Sequence, residues 1–462
     1  MGPTEHRRRL VSLALPVYCE LLAGVTAGII NMVWVAGLGG AAVAAVAVAT
    51  NVENVLLGVI LMAGSGTTVL VARARGAGDA AAAHAAVRGG WALWALLTPA
   101  VAVGGYAARE PLARLLLDDD GHATRLATEY FAVALPGMAV YFATNVVDGI
   151  LKGAGDTRTP MRLSLLANGL ILLLDPLLIL GLGLGVRGAA IATVTGRTVA
   201  LICGLAVLRR SSRGRPGTAG RRKKVLAARA LAADARRTAA TGLAMSADFV
   251  IRMTGSLALV AVVARIGVAE VAAYGIATKA MYVATMAFYS VRQAAAIHTA
   301  HLLGAGRDER RAVRRQALTV AGALGLAAAV TLLAAAPWIM RAFGAGGDVA
   351  AAGALHLRCL GPYLVLLACF IGVAGVFEGS GDSPALARIT TYGSVLQLAL
   401  AYALVGLGLP GICLAMACAV ALQCAALARL SGRRRTPRTP SRPAGPGPAA
   451  ALRGSWSRVR GG

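Results

Sequence analysis

The sequence predicts an all-α polytopic membrane protein of twelve transmembrane helices, in two six-helix bundles related by a pseudo-two-fold axis along the membrane normal. Three observations predict this fold: an apolar composition, apolar segments of bilayer-spanning length and an internal repeat. Of the 462 residues, 57% are hydrophobic and only 14% are charged. Ordinary soluble proteins have about 25% charged residues, so a large soluble domain is not expected.

The apolar segments recur from one end of the chain to the other. A helix needs about 20 apolar residues to cross a bilayer, and this length sets the expected ends to within a few residues. Twelve spans are predicted, at residues 10–35, 43–72, 89–108, 127–150, 160–182, 188–208, 238–263, 271–300, 316–336, 357–377, 388–406 and 411–428.

The net charge of +26 follows the topology of these spans. When residues at span ends are counted with the loops they adjoin, 35 of the 46 Lys and Arg residues lie on the side of both termini and 7 on the other side. The positive-inside rule then places both termini in the cytoplasm of a multi-pass plasma-membrane protein. Because topology and solvated tails account for the charge, no nucleic-acid partner is expected.

The same features divide the chain into four parts. An amino-terminal six-helix lobe (1–208) is joined by a basic cytoplasmic linker (209–237) to a carboxy-terminal six-helix lobe (238–430), and a basic cytoplasmic tail (431–462) follows. The tail is rich in Pro, Arg and Gly, which is typical of disorder. The seven cysteines include no CxxC pair, so neither a metal site nor a disulfide is predicted.

The internal repeat relates the two lobes. Because each lobe has six spans, an even number, both enter the membrane from the same side, and two such bundles enclose a central cleft. Three segments of the first half align with the second half in the same order, the first two at an offset of 228 and the third at 226: AGLGGAAVAAVAVAT (36–50) on ARIGVAEVAAYGIAT (264–278), GAGD (76–79) on GAGR (304–307), and GAGDTRTP (153–160) on GSGDSPAL (379–386).

Several motifs carry a family resemblance. They are LALPVYCE and NMVWVAGLGGAAVAAV near the start, GAGDTRTPMRLSLLANGLILLLDPLLILGLGLGVRGAAIAT (153–193), and GVAEVAAYGIATKA with GAGRDERRA in the second half. In this order, over about residues 8–430, they resemble the multidrug and toxic compound extrusion (MATE) family. The resemblance implies cation-coupled export of bulky, often cationic or amphipathic organic compounds, and kinship with lipid-linked oligosaccharide flippases of the same fold. We expect a monomer in the lipid bilayer, with no cofactor other than a coupling ion.

Asp175 is the first candidate site residue, in the stretch LLLDPLLIL (172–180). A charged residue at a helix centre costs about 2.5–3.5 kcal/mol on insertion scales, so it marks a functional position by default. By resemblance Asp175 matches the acidic residue of the family's fifth span, and Thr193 matches a threonine that faces it. Pro176 frees a backbone carbonyl beside the carboxylate. We expect Asp175 to carry a proton; the alternative is an acid held in a purely structural contact.

Three departures from the family pattern lie near Asp175. Asn31 stands where many members carry a first-span acid, and asparagine can bind a ligand but cannot titrate. Ile171 stands where an asparagine is usual, although Asn168 lies on the same helix face. Arg197, one turn beyond Thr193, could pair with Asp175 and keep it ionised. These departures favour H⁺ over Na⁺ as the coupling ion, or no ion coupling at this site.

Other acids of the amino-terminal lobe are further candidates for ion coupling. Glu20 lies one turn after Pro16 in the first span, and Glu53 lies in ATNVENVLL of the second. Asp148 ends the fourth span near Lys152 and is expected to reach the membrane interface.

The carboxy-terminal lobe carries its own polar residues. Asp248 and Arg252 are spaced i, i+4 in the seventh span, which favours a mutual pair. Lys279, Arg292 and Gln293 are expected to line this half of the cleft. Aromatic residues make up only 5% of the chain, so a rich aromatic cage for cations is not expected; the best-placed aromatic residues are Trp34, Tyr282 and Tyr289.

Three functions stay open, and an enzyme is not among them because no nucleophile–base set is present. The first is a secondary-active exporter. The second is a flippase for a lipid-linked precursor, whose pyrophosphate requires a cationic cleft; Arg197, Arg252, Lys279 and Arg292 would supply it. The third is a membrane assembly or sensor protein that no longer transports. The GAGD and GSGD loops lack the Lys-Ser/Thr of a nucleotide-binding loop, and Asp156 and Asp382 in them are expected to cap helices.

Overall fold

The computed structural model describes residues 2–117, 121–212, 224–342 and 346–433. Within these ranges the chain is almost entirely helical, as predicted. The described α-helices are α1 (Pro3–Ala36), α2 (Gly40–Gly76), α3 (Ala80–Pro99), α4 (Gly105–Leu117), α5 (Gly121–Gly153), α6 (Arg158–Pro176), α7 (Gly185–Ser212), α8 (Lys224–Val263), α9 (Val268–Gly304), α10 (Arg310–Ala342), α11 (Gly347–Cys359), α12 (Gly361–Ser380), α13 (Ser383–Ala403) and α14 (Gly408–Arg433).

Eleven helical segments of the described chain are long and apolar enough to cross a membrane. They coincide with eleven of the twelve predicted spans. The remaining prediction, 388–406, falls on α13, whose 21 residues include several polar side chains. A helix of that length reaches about 31 Å, and its polar residues are explained by the cavity described below. The chain is a multi-pass membrane protein.

The packing repeats from one lobe to the other. In the first lobe α2 packs on α5, α5 on α7, and α6 on both α1 and α7. By the repeat offsets, α1, α2, α5, α6 and α7 correspond to α8, α9, α12, α13 and α14. The equivalent contacts all occur in the second lobe: α9 packs on α12, α12 on α14, and α13 on both α8 and α14. The two lobes are therefore six-helix bundles of the same design, with α4 and α11 as additional short helices in each.

The repeated loops share their turn geometry as well. Gly78 and Gly306 have φ of 68° and 73°, and Gly155 and Gly381 have φ of 88° and 85°. Positive φ is disfavoured for any residue with a Cβ, which explains the glycine at each position. In the turn at Gly155, Asp156 accepts hydrogen bonds from the backbone N–H groups of residues 158 and 159, as predicted. The side chain of Asp382 instead accepts from Ser380 Oγ at 3.0 Å.

The lobes touch each other at one end of the cleft. Gly76 of α2 packs on the backbone carbonyl of His301, and Gly304 of α9 packs on that of Arg73. The offset of 228 exchanges these two contacts, so the pseudo-two-fold axis passes between them. On the same side His6 Nδ1 lies 3.0 Å from His298 Nε2. The cleft is closed at the end that carries the loops 77–79 and 305–309.

The other end of the amino-terminal lobe has a separate apolar core. Its buried members come from α1, α2, α4, α5, α7 and the segment after α6, and all belong to this lobe. By contrast, a core near the closed end joins Leu10 and Ala72 to many residues of the carboxy-terminal lobe. The lobes therefore separate towards the end that carries residues 37–39 and 264–267.

Much of the predicted linker, residues 209–237, is helical. Helix α7 extends to Ser212, and residues 224–237 are already helical and continue into α8. The remainder of the linker, 213–223, and the tail from residue 434 onward lie outside the described residues.

Candidate functional site

A cavity of about 550 Å³ lies between the lobes. It is lined from α1, α2 and α5 on the amino-terminal side and from α8, α9, α12, α13 and α14 on the other. Methionine and aromatic side chains form much of the wall: Met245, Met253, Met281, Met286, Met416, Phe249, Tyr274, Tyr282, Tyr289 and Tyr363. A cavity of this size matches the range of small-molecule sites in proteins, about 300–1,000 Å³.

A charged network forms the carboxy-terminal wall. Arg292 lies at its centre and donates to Asp248 at 2.6 Å and to Glu378 at 2.5 Å. Arg252 donates to Asp248 at 3.3 Å, so the predicted i, i+4 pair does form. Thr390 of α13 donates its hydroxyl to the second Asp248 oxygen at 2.5 Å. Two acids and two arginines thus neutralise each other from three helices, and α13 adds a hydroxyl.

Burial makes this network important for the stability of the protein. The side chains of Asp248, Arg292 and Glu378 are only 1%, 7% and 4% exposed. Removing one member of such a buried group leaves its partners unpaired, at a cost of about 3–5 kcal/mol. Sequence reasoning missed Glu378 and Thr390. The repeat could have pointed to both residues, because the offset of 226 aligns Glu378 with Lys152 and Thr390 with Ser164, which are polar residues of the first lobe.

A second charged cluster forms the amino-terminal wall. Lys152 Nζ of α5 donates to Glu20 Oε1 of α1 at 2.7 Å, and both side chains are nearly buried. Asp148, one turn before Lys152, also lines the cavity. Its Oδ1 is buried without a hydrogen-bond partner. Asp148 therefore points into the protein, and the expectation that it reaches the membrane interface was wrong.

Asp175 is fully buried in the amino-terminal lobe, away from this cavity. Asn31 Nδ2 donates to its Oδ2 at 2.9 Å, while its Oδ1 is buried without a hydrogen-bond partner. The helix ends at Pro176 and continues as a π-helical turn, Leu177–Gly181. The first-span residue that departs from the family pattern is thus the residue that contacts Asp175.

The other residues expected around Asp175 lie elsewhere. Arg197 stacks on the ring of Tyr141, 3.8 Å from the ring centroid, and forms no ion pair with Asp175. Asn168 donates to Ser164 Oγ at 3.1 Å instead. Among the described residues no hydrogen bond joins Thr193 to Asp175. The expected cluster is therefore reduced to Asn31 and Asp175, because Arg197 and Asn168 contact other side chains.

Glu53 belongs to a different part of the same lobe. Its carboxylate lies beside the Tyr130 hydroxyl, and Arg197 is a charged neighbour of both. Neither Glu53 nor Arg197 is a lining residue of the cavity.

Two expected residues, Lys279 and Trp34, do not line the cavity. Lys279 is exposed and does not line the cavity, although its neighbour Thr278 does. Trp34 packs against the outer apolar core of the amino-terminal lobe. Arg292, Gln293, Tyr282 and Tyr289 do line the cavity, as expected.

Comparisons with known proteins agree on one family. The family model MatE matches residues 16–177 and 244–403, which is most of both lobes. A curated relative, "Probable multidrug resistance protein NorM" of Thermotoga maritima, is 32% identical over 204 residues, covering 42% of this chain and 43% of that protein. "Probable multidrug resistance protein YpnP" of Bacillus subtilis is 27% identical over 199 residues, 43% of this chain and 44% of that protein. The matched region spans less than half of these relatives.

Solved structures share the whole fold. One described as the "Outward-facing conformation of a multidrug resistance MATE family transporter of the MOP superfamily" superposes with a TM-score of 0.84 at 23% identity, over 93% of this chain and 97% of the other. The MOP superfamily transporter from Pyrococcus furiosus gives a TM-score of 0.82 at 23% identity, over 93% and 97%. Since the family model matches both lobes, the chain belongs to the MatE family, whose members are membrane transporters and not enzymes.

Proposed function

We propose that the protein is a secondary-active exporter of small organic molecules that works by alternating access and is driven by protons. One observation carries the proposal: the two pseudo-symmetric lobes enclose a cavity of about 550 Å³ that is closed at one end by a contact on the pseudo-two-fold axis. Two similar rigid bundles that meet at one end can rock about such a contact and close the other end.

The wall of the cavity suits varied, partly apolar substrates. Five of the eleven methionines of the chain line it, and methionine adapts its shape to different ligands. Tyrosine and phenylalanine add flat apolar surfaces that also bind cations. This wall fits amphipathic and cationic organic compounds, and a single chain supplies all of it, as expected of a monomer.

Charge supports export over flipping of a lipid pyrophosphate. The cleft of such a flippase would present free cations, but Arg252 and Arg292 both pair with Asp248. Arg197 stacks on an aromatic ring, and Lys279 lies outside the cavity. The four cations that a flippase would need for a pyrophosphate therefore either contact other side chains or lie outside the cavity.

The direction of transport follows from the charge bias of the loops. If the termini are cytoplasmic, the end closed by Gly76 and Gly304 is the cytoplasmic end, and the cavity opens outward. The proton carrier that we propose is Asp175. It is buried, it has a single amide donor, and one of its oxygens has no partner; a proton is the smallest cation that can neutralise it.

Dye efflux from a host without its own efflux pumps tests the proposal. The wild type should lower dye accumulation, and a proton uncoupler should abolish the effect. Asp175→Asn keeps the side-chain shape but cannot change its charge, and we expect it to lose uncoupler-sensitive efflux. Asp79→Asn is the matched control, because Asp79 caps α3 and asparagine caps equally well. If Asp175→Asn reaches the membrane and keeps the wild-type rate and uncoupler sensitivity, Asp175 is not the carrier.

A further inference from the structure

The clearest asymmetry between the lobes lies in their charged clusters. The offset of 228 places Glu20 on Asp248, and the offset of 226 places Lys152 on Glu378. In the carboxy-terminal lobe the central charge is Arg292. The residue at its equivalent position in the amino-terminal lobe is Gly64, which lines the cavity. In the carboxy-terminal lobe a guanidinium therefore joins the two equivalent positions, whereas in the amino-terminal lobe Lys152 and Glu20 bond each other directly.

The two walls of the cavity also differ in net charge. In the carboxy-terminal wall, Asp248 and Glu378 balance Arg252 and Arg292. In the amino-terminal wall, Glu20 and Asp148 face the single cation Lys152, which leaves one negative charge in excess.

The excess charge belongs to Asp148. Its charged neighbours are Glu20, Lys152 and Arg197. Lys152 donates to Glu20 and Arg197 stacks on Tyr141, so neither cation is bonded to Asp148. The carboxylate lines the cavity, and its Oδ1 is buried with no hydrogen-bond partner. A buried carboxylate is strongly stabilised by a partner of opposite charge.

We propose that the cationic group of a substrate binds beside Asp148, at the face of α5 that lines the cavity. This inference rests on the proposed export function and adds the position that selects for charge. Asp148 and Lys152 line the cavity together with Gly64, so a ligand reaches Asp148 from the cavity, and the Glu20–Lys152 pair holds one side of the position. The ligand is a monovalent organic cation, since one positive charge neutralises the wall.

Equilibrium binding to the purified chain in lipid nanodiscs tests this inference without requiring transport. The probes are tetraphenylphosphonium, a monovalent cation, and triphenylphosphine oxide, a neutral compound of similar shape, both at pH 8. Asp148→Asn should weaken tetraphenylphosphonium binding about tenfold or more and leave the neutral probe unchanged. Glu129→Gln is the matched control, because Glu129 lies on the same helix but is exposed.

A second variant gives an effect of opposite sign. Lys152→Gln removes the one cation of the wall and raises its excess negative charge, so it should tighten tetraphenylphosphonium binding. This keeps the test decisive if Asp148→Asn folds poorly.

Three binding results, and a fourth that combines binding with transport, would overturn the inference. Tetraphenylphosphonium binding could be unchanged in both variants, both probes could weaken equally in Asp148→Asn, or the wild type could bind no cation although it exports dye. In each case the export function stands on its own efflux assay. If Asp148→Asn binds the cation normally but loses proton-driven efflux, the site takes a proton and not an organic cation, and the inference fails.

Discussion

The contact on the pseudo-two-fold axis makes a sharp prediction about conformational balance. A Cβ added to Gly76 would overlap the carbonyl oxygen of His301, and one added to Gly304 would overlap that of Arg73. Both obstacles are backbone atoms, which cannot rotate away as a side chain can. Gly76→Ala and Gly304→Ala should therefore push the lobes apart at this end and disfavour the state described here.

The magnitude follows from the packing. Overfilling a well-packed contact costs about 1–3 kcal/mol, and each 1.4 kcal/mol changes an equilibrium tenfold. The ratio of closed to open forms at this end should fall by about 5-fold to 150-fold for each variant. Alanine is otherwise favoured over glycine in a helix by about 0.5–1 kcal/mol, so overall stability should not fall in parallel.

The assay measures the distance between the lobes. Spin labels at His84 of α3 and Arg311 of α10, both exposed, report the closed end by pulsed electron paramagnetic resonance in a cysteine-free background. Gly275→Ala is the matched control, because Gly275 lies on α9 like Gly304 but has open space around its Cβ position. If the distance distributions of Gly76→Ala and Gly304→Ala coincide with that of Gly275→Ala, this contact does not close the cleft.

Two more predictions concern the buried network and the topology. Arg292→Met should lower the unfolding free energy by about 3–5 kcal/mol, because it leaves the buried carboxylate of Glu378 without a cation and leaves Asp248 with Arg252 as its one cation. Adding Glu378→Gln should recover part of the loss. Thermal unfolding in detergent measures both changes, and an unchanged melting temperature for Arg292→Met would contradict the network's stabilising role. An impermeant maleimide applied to intact cells should label a cysteine at His122 but not one at Arg229, since the charge bias places residue 229 in the cytoplasm; labelling at 229 would refute that orientation.

The fold was predictable because a membrane-spanning helix can be recognised from a local stretch of the sequence. Apolar length predicted nearly every span, and the repeat predicted two equivalent lobes. Helix α13 was harder to justify by hydropathy, since Thr390 and Gln397 face the cavity instead of lipid. The sequence also could not reveal that 224–237 would be helical, because charged residues are common in helices and in loops alike.

The site was only partly predictable, and for a different reason. Helical spacing identifies residues on one face, so the Asp248–Arg252 pair followed from the sequence. Spacing does not identify which face of another helix packs there, so Glu378, 86 positions from Arg292, was missed. The same limit explains Asp175, whose partner Asn31 lies 144 positions away. Arg197, placed beside it by spacing, stacks instead on Tyr141.

The most direct test of proton-driven export is accumulation in proteoliposomes that contain only the purified chain. An acidic lumen should drive tetraphenylphosphonium inward against its concentration gradient, and collapsing the pH difference with nigericin should release it. The account predicts both effects in the wild type and neither in Asp175→Asn. Equal accumulation with and without the pH difference, in protein shown to be folded and inserted, would contradict it.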